Sequence, residues 1–389
     1  MRYLLLLSSL ELGGAERQAI NFAEYLRENG YDVQIIGLNH SGKVNEICEK
    51  KNIKCCPFFY GNDLYSVALK ICYGLKLLNV TEEKKNLLPL VNKLVKYIVK
   101  EHFDVCISYC ATANTVLGLV KKKLGMHSPV CIWYQRDAGI YDKKFGLQRI
   151  AIEYVDCIVA NSISGKNWIK EAYSKESELI YNGVKLNPAE HTKREWRDSL
   201  GFSEQDIVCT MLANLTDKKN HLFLLEIWKK LLDIGKEYKL LLAGRFDDQY
   251  SVLKEFVRDN NMEKNVFFLG QIDDVSGLIS ATDICVFSAL SEGSPNGIIE
   301  PAIYGLPVVA TDLPEIREIV SEENYSYLFE KNNIEQAINC IVTLAENMDK
   351  CKNLGCLNEN KVKALFSVER NFSEIIRLAE KTIKQRENK

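Results

Sequence analysis

The chain has 389 residues, of which 47% are hydrophobic and 26% are charged. These are the proportions of a soluble globular protein, and the length suffices for two domains of ordinary size. No apolar run is long enough to cross a bilayer, and the short run after Arg2 predicts a buried first strand rather than a targeting segment. The 13 cysteines are dispersed, without a Cys-x-x-Cys pair, which indicates reduced thiols in the cytosol rather than a disulfide framework or a zinc site.

The net charge of −2 hides an asymmetry between the two halves of the chain. Residues 1–185 carry 25 Lys and Arg against 19 Asp and Glu, whereas the remainder carries 25 against 33. The positive excess lies in residues 70–123, where ten Lys face four acids. Such a region is typical either of a surface that meets an anionic substrate or membrane, or of an ordinary solvated charge run.

Short apolar strands alternate with amphipathic helices along the chain, which predicts an α/β protein. Most of the strands are continuous apolar runs, as expected of parallel strands that are covered on both faces. The predicted strands are Tyr3–Ser8, Val33–Leu38, Asp104–Tyr109, Val130–Tyr134, Cys157–Ala160, Leu179–Tyr181, Val208–Ala213, Lys239–Ala243, Val266–Leu269, Ile284–Phe287 and Val308–Ala310. Clear helical patterns cover Ala15–Asn29, Leu222–Ile234 and Ile334–Ala345.

The alternation restarts after Tyr181–Val184, where Asn-Gly signals a turn, and we place a domain boundary there. Residues 1–184 and 185–365 should therefore each carry a doubly wound sheet, with ligand sites beyond the carboxyl ends of the strands. The run from residue 359 to residue 389 is helical and charged.

A further helical pattern, residues 84–100, is basic on one side. Its apolar residues form one stripe, at positions 87, 90, 91, 94, 95 and 98, and Lys85, Lys93, Lys96 and Lys100 avoid that stripe. The pattern indicates a helix that covers the sheet with its outer face in water. With Lys121–Lys123 it also fits a basic face held near anionic lipid.

Gly13 and Gly14 lie directly after the first predicted strand and before a helix. Two glycines at such a turn let the backbone approach a ligand closely and leave amides at the helix start, although a tight turn alone would also use them. The spacing does not fit Gly-x-Gly-x-x-Gly, which disfavours a nicotinamide cofactor.

The most informative stretch is Ser291–Glu300, which continues into Pro301–Ala310. Glu292 and Glu300 bracket a glycine turn and the start of a short helix, so an anion site carries a carboxylate at each end. This suits a ligand that is part phosphate and part polyol. Glu-x7-Glu with an embedded Pro-x-Gly-Ile-Ile and a trailing Ala-x-x-Gly-x-Pro-Val resembles the signature of the family-4 retaining glycosyltransferases.

The resemblance covers nearly the whole chain in order, including Gly13-Gly-x-Glu16, Lys219-Asn220 and Ala243-Gly-Arg245. It implies the GT-B fold, in which two doubly wound Rossmann-like domains face each other across a cleft. It also implies that residues 366–389 form a helix that crosses back to the first domain. Residues 1–184 would then serve the acceptor side, and residues 185–365 would bind the nucleotide sugar.

By resemblance, Lys219 neutralises the donor diphosphate, which the amides of Gly297, Ile298 and Ile299 also face. Glu292 would contact the donor sugar near the reaction centre, and Glu300 would hold the ribose hydroxyls. Whether Glu292 acts as a covalent nucleophile stays open. The expected donor-binding set is Gly13, Gly14, Asn214, Lys219, Arg245, Asn296, Gly297, Ile298, Ile299 and Glu300, and the expected catalytic set is Glu292, Lys219 and Asp137.

The chain departs from the family pattern in two places. Asn214 stands where the family carries an arginine, so either Lys218 or Arg245 replaces that charge, or amides and Lys219 hold the diphosphate without it. The histidine that many members carry in the first domain is absent. Asp137, beside Arg136 at the end of a predicted strand, is a candidate acceptor-side base, or else an ion-pair partner or loop charge.

The resemblance implies a retaining hexosyltransferase that needs neither a cofactor nor a metal. It would move a sugar from a UDP- or GDP-sugar to a glycan or lipid-linked acceptor in surface polysaccharide biosynthesis. Its location would be cytoplasmic or peripheral at the inner membrane face, through the Lys-rich residues 70–123, without a nucleic-acid partner. A nucleotide-sugar 2-epimerase of the same architecture and a non-catalytic nucleotide-sugar-binding protein are the alternatives.

Overall fold

The computed structural model describes residues 1–38, 42–58, 82–136, 139, 146–185 and 187–388, and of residues 82–86 and 127 it describes the backbone alone. The chain divides into two compact units. The N-terminal unit comprises Met1–Gly183 together with Val368–Lys389, and the C-terminal unit comprises Val184–Ser367.

A parallel sheet of seven strands runs through the N-terminal unit, in the order β3-β2-β1-β4-β5-β6-β7. Its strands are β1 Arg2–Leu7, β2 Asp32–Gly37, β3 Lys54–Pro57, β4 Val105–Tyr109, β5 Val130–Gln135, β6 Cys157–Ala160 and β7 Glu178–Leu179. The helices are α1 Gly14–Glu28, α2 Lys43–Lys50, α3 Glu82–Glu101, α4 Ala111–Leu124, α5 Leu147–Ala151, α6 Ile163–Tyr173 and a C-terminal helix, Val368–Glu387. Buried side chains form one hydrophobic cluster on each face of the sheet, because successive side chains of a strand point to opposite faces.

The C-terminal helix completes one of these two clusters. The ring of Phe372 packs on Phe22 and Tyr25 of α1, with ring centroids 5.0 and 5.5 Å apart. The side-chain amide of Asn371 donates to the carbonyl of Asn182 at 3.0 Å. A residue larger than Gly183 would meet the Phe372 ring, so the helix lies directly against the end of the first stretch of chain.

Helix α3 confirms the amphipathic pattern within the residues whose side chains are described. Leu90, Val91, Leu94 and Ile98 are buried, whereas Lys93, Lys96 and Lys100 are exposed. Apolar burial on one stripe holds the helix on the sheet and leaves the lysines in solvent. Residues 59–81, which hold part of the predicted Lys-rich region, lie outside the described residues, as does the side chain of Lys85.

A parallel sheet of six strands, in the order β10-β9-β8-β11-β12-β13, forms the centre of the C-terminal unit. The strands are β8 Val208–Leu212, β9 Lys239–Ala243, β10 Val266–Gly270, β11 Ile284–Phe287, β12 Val308–Thr311 and β13 Leu328–Phe329. The helices are α7 Lys193–Ser199, α8 His221–Asp233, α9 Tyr250–Asp259, α10 Val275–Ser280, α11 Asn296–Ile303, α12 Pro314–Ile319, α13 Ile334–Ala345 and α14 Met348–Leu365. This is the 3-2-1-4-5-6 order of a doubly wound nucleotide-binding sheet.

Asp274 fastens the entry of the C-terminal unit to this sheet. Its carboxylate accepts hydrogen bonds from the backbone amides of Glu190, His191 and Gly277 and from the indole of Trp196. Burial opposes the ionisation of Asp274, but these donors outweigh it and hold its pKa well below the usual range. The carboxylate of Asp274 is therefore stabilised in its charged form by the hydrogen bonds of the folded protein.

Every strand predicted from the sequence overlaps an observed strand. Two observed strands, β3 and β13, were not predicted. Strand β3 reads Lys-Cys-Cys-Pro and lies at the edge of its sheet, where it needs no continuous apolar run, and β13 has two residues. In the described ranges, no helix is both long and apolar enough to span a membrane.

Candidate active site

The loops that follow β8 and β11 lie side by side at the carboxyl end of the second sheet. The two strands are parallel neighbours, paired at Cys209 and Ile284. The amide of Leu290 donates to the carbonyl of Lys218 at 2.9 Å, and Oγ of Ser288 lies 3.0 Å from the carbonyl oxygens of Lys219 and Asn220. These contacts join the two loops into one surface.

Lys219 and Glu292 form an ion pair on this surface. The short turn Asp217–Lys219 ends at Asn220, whose φ of 54° is left-handed, a conformation that Asn tolerates well. Nζ of Lys219 then donates to Oε1 of Glu292 and lies 5.1 Å from the ring centroid of Phe287. The side chains are 25% and 11% exposed, so the pair is largely shielded from water but can still be reached by a ligand.

Burial raises the pKa of Glu292 above its ordinary value, and the positive charge of Lys219 offsets part of that rise. The carboxylate of Glu315, in the first turn of α12, raises the pKa of Glu292 further, and Lys218 lowers it. The surroundings of Glu292 therefore disfavour an additional negative charge that is not paired with a cation. Perturbed carboxyl groups of this kind are typical of functional sites.

Helix α11 begins beside the ion pair and carries no side-chain cap at its start. A Cβ on Gly297 would collide with the carbonyl oxygen of Leu212, at the end of β8, so glycine allows the helix start to approach that strand closely. The amides of Ile298 and Ile299 donate to the carbonyl of Pro295, at 3.0 and 3.1 Å. Of the three amides expected to face a diphosphate, the amide of Gly297 is therefore the one not bonded to this carbonyl.

The other predicted residues of this segment flank the helix start. Asn296 is the first residue of α11 and Glu300 is the fifth, and both are half-buried. Glu292 precedes the helix, whereas Glu300 lies inside it.

Asn214 and Arg245, on the neighbouring loops after β8 and β9, contact each other. Oδ1 of Asn214 accepts a hydrogen bond from the backbone amide of Arg245 at 3.0 Å. The guanidinium of Arg245 forms a bidentate pair with Asp247, at 2.7 and 3.0 Å. Arg245 thus lies at the carboxyl end of the sheet, where ligand sites are predicted. Its guanidinium charge, however, is already paired with Asp247.

His221 opens α8 directly behind this surface and is 2% exposed. Neither ring nitrogen has a hydrogen-bond partner within the described residues. Burial and the nearby charge of Lys219 lower the pKa of His221 to about 4, so the ring is neutral at physiological pH. The turn at Asn220 places His221 beside Lys219.

The glycine turn of the N-terminal unit is closed by Glu16. Gly13 precedes α1 and Gly14 is its first residue. The carboxylate of Glu16 folds back so closely that a Cβ on Gly13 would lie 2.7 Å from its Oε2. Burial raises the pKa of Glu16, against hydrogen bonds from the amides of Glu16 and Gly13 and the charge of Arg136.

The structure thus brings Lys219, Glu292 and Gly297 together, and places Asn214 and Arg245 on the adjoining loop. Phe287 and Glu315 belong to the same site but carried no signal in the sequence, because each becomes a neighbour only through strand order. Asp137 lies outside the described residues. No group of three or more His, Cys, Asp or Glu among the described residues is arranged to hold a metal ion.

Two family models match the chain in succession. The model described as Glycosyltransferase Family 4 matches residues 12–187, and the model described as Glycosyl transferases group 1 matches residues 206–347. Together they span well over half of the sequence. The first model falls almost entirely on the N-terminal unit, and the second falls on the C-terminal unit.

Curated relatives point the same way. An uncharacterized glycosyltransferase of Haemophilus influenzae is 25% identical over 348 residues, which cover 86% of this chain and 87% of the relative. The UDP-Gal:alpha-D-GlcNAc-diphosphoundecaprenol alpha-1,3-galactosyltransferase of Escherichia coli is 27% identical over 53% of this chain and 55% of the relative.

Among solved structures, Anabaena HepE in complex with UDP-glucose has a TM-score of 0.81 at 20% identity. The match covers 98% of this chain and 100% of that chain, so the two proteins share the GT-B fold over their whole length. Together with both family models, this structural match confirms the predicted family and the predicted fold. The chain belongs to the family-4 glycosyltransferases and has the GT-B fold.

Proposed function

We propose that this glycosyltransferase takes its sugar from a UDP-linked donor and retains the anomeric configuration. The observation that carries the proposal is the Lys219–Glu292 pair beside the start of α11, at the carboxyl ends of β8 and β11. UDP is named in the solved complexes of Anabaena HepE and in the donor of the Escherichia coli relative, which favours it over GDP.

The chemistry requires a diphosphate to leave an anomeric carbon. The bond from that carbon to the distal phosphate oxygen breaks, and its electron pair leaves on UDP. Lys219 and the amide of Gly297 would stabilise this charge by electrostatic preorganisation, which is often the largest contribution to catalysis. The amides and the lysine supply positive charge, and we propose that transfer proceeds without a metal.

Glu292 is proposed to position the donor sugar while it holds Lys219. In a same-face reaction the acceptor hydroxyl bonds to the anomeric carbon on the side that the diphosphate leaves, and its proton passes to a phosphate oxygen. All bonds and protons of this reaction are accounted for without a covalent intermediate on Glu292. The carboxylate would stabilise positive charge that develops on the sugar ring.

The proposed acceptor is a lipid-linked saccharide of surface polysaccharide assembly. The Escherichia coli relative acts, by its name, on a diphosphoundecaprenol-linked sugar. The exposed lysines of α3 would suit a peripheral contact with an anionic membrane.

The test is calorimetric binding of UDP and GDP, with a chelator present, to the wild type, to Lys219→Ala and to Lys230→Ala. Lys230 is the matched control, because it is a surface lysine of the same unit paired with Glu335. We expect UDP to bind more tightly than GDP, and Lys219→Ala alone to weaken it about 30-fold, as for a lost hydrogen bond to a charged group.

Transfer to a lipid-linked acceptor is then followed by product analysis, including the anomeric configuration. An inverted product would overturn the retaining proposal, and a requirement for a divalent metal would overturn the metal-free one. Conversion of the nucleotide sugar to its epimer without transfer would contradict the acceptor proposal. Failure of UDP to bind the wild type would remove the donor assignment.

A further inference from the structure

Arg136 follows β5 at the carboxyl end of the first sheet and lies against two tyrosine rings. Tyr109 of β4 and Tyr134 of β5 are paired in register, and the guanidinium carbon of Arg136 is 5.8 and 5.0 Å from their ring centroids. Both rings lie within cation–π distance of the guanidinium, and the side chain of Tyr134 is also a hydrogen-bond neighbour of Arg136.

Nε and Nη1 of Arg136 are shielded from solvent and have no hydrogen-bond partner in the described part of the chain. A guanidinium is always charged, and leaving its donors desolvated and unsatisfied is costly. A ligand that brings oxygen atoms to Arg136 would remove that cost.

Structural arginines elsewhere in the chain are treated differently. Arg197, which is 4% exposed, pairs with Asp283 at 2.7 Å and donates to the carbonyls of Ala281, Ser203 and Asp206. Such a set of partners is what holds a buried cation in a fold. Arg136 has no comparable set of partners in the described ranges, where the side chain of Tyr134 is its hydrogen-bond neighbour.

Glu16 is the acid whose charge reaches Arg136. It is 9% exposed, and the charge of Arg136 lowers its pKa while burial raises it more. The two side chains interact without forming an ion pair, since the Glu16 carboxylate is turned toward the amides of its own helix start. Glu16 therefore leaves the donors of Arg136 available.

We propose that Arg136, with Tyr109, Tyr134 and Glu16 around it, binds a phosphate oxyanion of a substrate within the N-terminal unit. The phosphate is either that of a lipid-diphosphate acceptor or that of the nucleotide donor. The choice between these two sources rests on the proposed function, whereas oxyanion binding at Arg136 does not.

The experiment measures the binding of UDP and of farnesyl diphosphate, a diphosphate without a nucleoside, to wild type, Arg136→Gln and Arg136→Lys. Arg149→Gln removes an exposed arginine of the same unit and is the matched control. We expect Arg136→Gln to raise the Kd of one probe at least about tenfold, and Arg136→Lys to recover part of it. Weaker binding of farnesyl diphosphate alone would assign the phosphate at Arg136 to the acceptor. Weaker binding of UDP would assign it to the donor.

Thermal unfolding separates this role from a structural one. An arginine that holds the fold together lowers Tm when it is replaced, whereas removal of an unsatisfied cation should leave Tm unchanged or raise it. If Arg136→Gln binds both probes within about twofold of wild type, or lowers Tm without changing either affinity, the proposal is overturned. If wild type binds no UDP but binds farnesyl diphosphate through Arg136, the donor assignment fails and this inference stands.

Discussion

The side-chain oxygen of Asn214 accepts a hydrogen bond from the backbone amide of Arg245, at 3.0 Å. This bond ties the loop after β8 to the loop after β9, where Gly244 already packs against the carbonyl of Ala213. Asn214, at the position where the resemblance leads one to expect an arginine, therefore has a bracing contact within the protein. Asparagine at this position supplies a hydrogen bond between the two loops and no positive charge.

Replacing Asn214 with Ala should remove this brace. We expect urea unfolding to show a loss of about 1 kcal/mol, the usual net value of one hydrogen bond, with less than about a threefold change in UDP affinity. Asn214→Asp keeps an acceptor oxygen and is the control, with smaller loss expected. A large drop in UDP affinity at unchanged stability would show instead that Asn214 contacts the donor.

Glu292→Gln should separate binding from turnover. The amide cannot hold the charge that develops on the sugar, so we expect kcat to fall about 100-fold or more, in the range of lost positioned carboxylates. UDP should bind equally well or more tightly, because Lys219 loses its anionic partner. Equal kcat in the two proteins, measured with saturating donor, would rule out a catalytic role.

The raised pKa of Glu292 also makes a stability prediction. Burial favours the protonated form in the folded state, so the contribution of Glu292 is greatest at low pH and declines as pH rises through the folded pKa. The difference in Tm between Glu292→Gln and wild type should therefore increase in favour of the variant from acidic to neutral pH. A difference that is independent of pH would contradict the shift.

Gly297→Ala should disrupt the site through the backbone. The new Cβ would collide with the carbonyl of Leu212, which cannot move without shifting β8. We expect a loss of about 1–3 kcal/mol in urea unfolding, as for overpacked sites, with weaker UDP binding. Gly13→Ala is the contrast, since its Cβ meets the flexible end of Glu16, and its loss should be smaller.

His221 should make the protein sensitive to acid. Its pKa is about 4 in the folded state and 6.5 when unperturbed, so its contribution is complete above pH 6.5 and is lost as pH falls toward 4. This lowering of the pKa corresponds to a loss of about 3 kcal/mol in the free energy of unfolding. His221→Phe should flatten the stability curve between these values, as followed by denaturant unfolding at several pH values.

His102→Asn is the control for this measurement, because His102 is exposed and has a φ of 54°, which Asn adopts readily. Its stability curve should keep the wild-type slope. The same slope in His221→Phe would mean that another group causes the acid sensitivity.

Sequence patterns predicted the strands of both sheets because parallel strands that are covered on two faces must be apolar throughout. Strand β3 was missed because an edge strand is free of that demand. Motif spacing singled out Lys219, Glu292 and Gly297, and the structure places them at one surface.

The contacts made by these residues were beyond the sequence. They depend on which strands are neighbours and on how the loops turn. Examples are the contact of Asn214 with Arg245, that of Arg245 with Asp247, and the approach of Glu315 to Glu292. The sequence singled out Arg136 only as a possible ion-pair partner of Asp137, and the register of Tyr109 with Tyr134 explains its aromatic contacts.

The C-terminal helix has a consequence for the order in which the molecule can mature. The C-terminal unit is continuous in sequence, from Val184 to Ser367, whereas the N-terminal unit needs Phe372 to cover Phe22 and Tyr25. During synthesis the first 183 residues leave the ribosome with that apolar surface bare, and they stay so until the whole second unit has been made. The half that is translated first is therefore the half that finishes folding last.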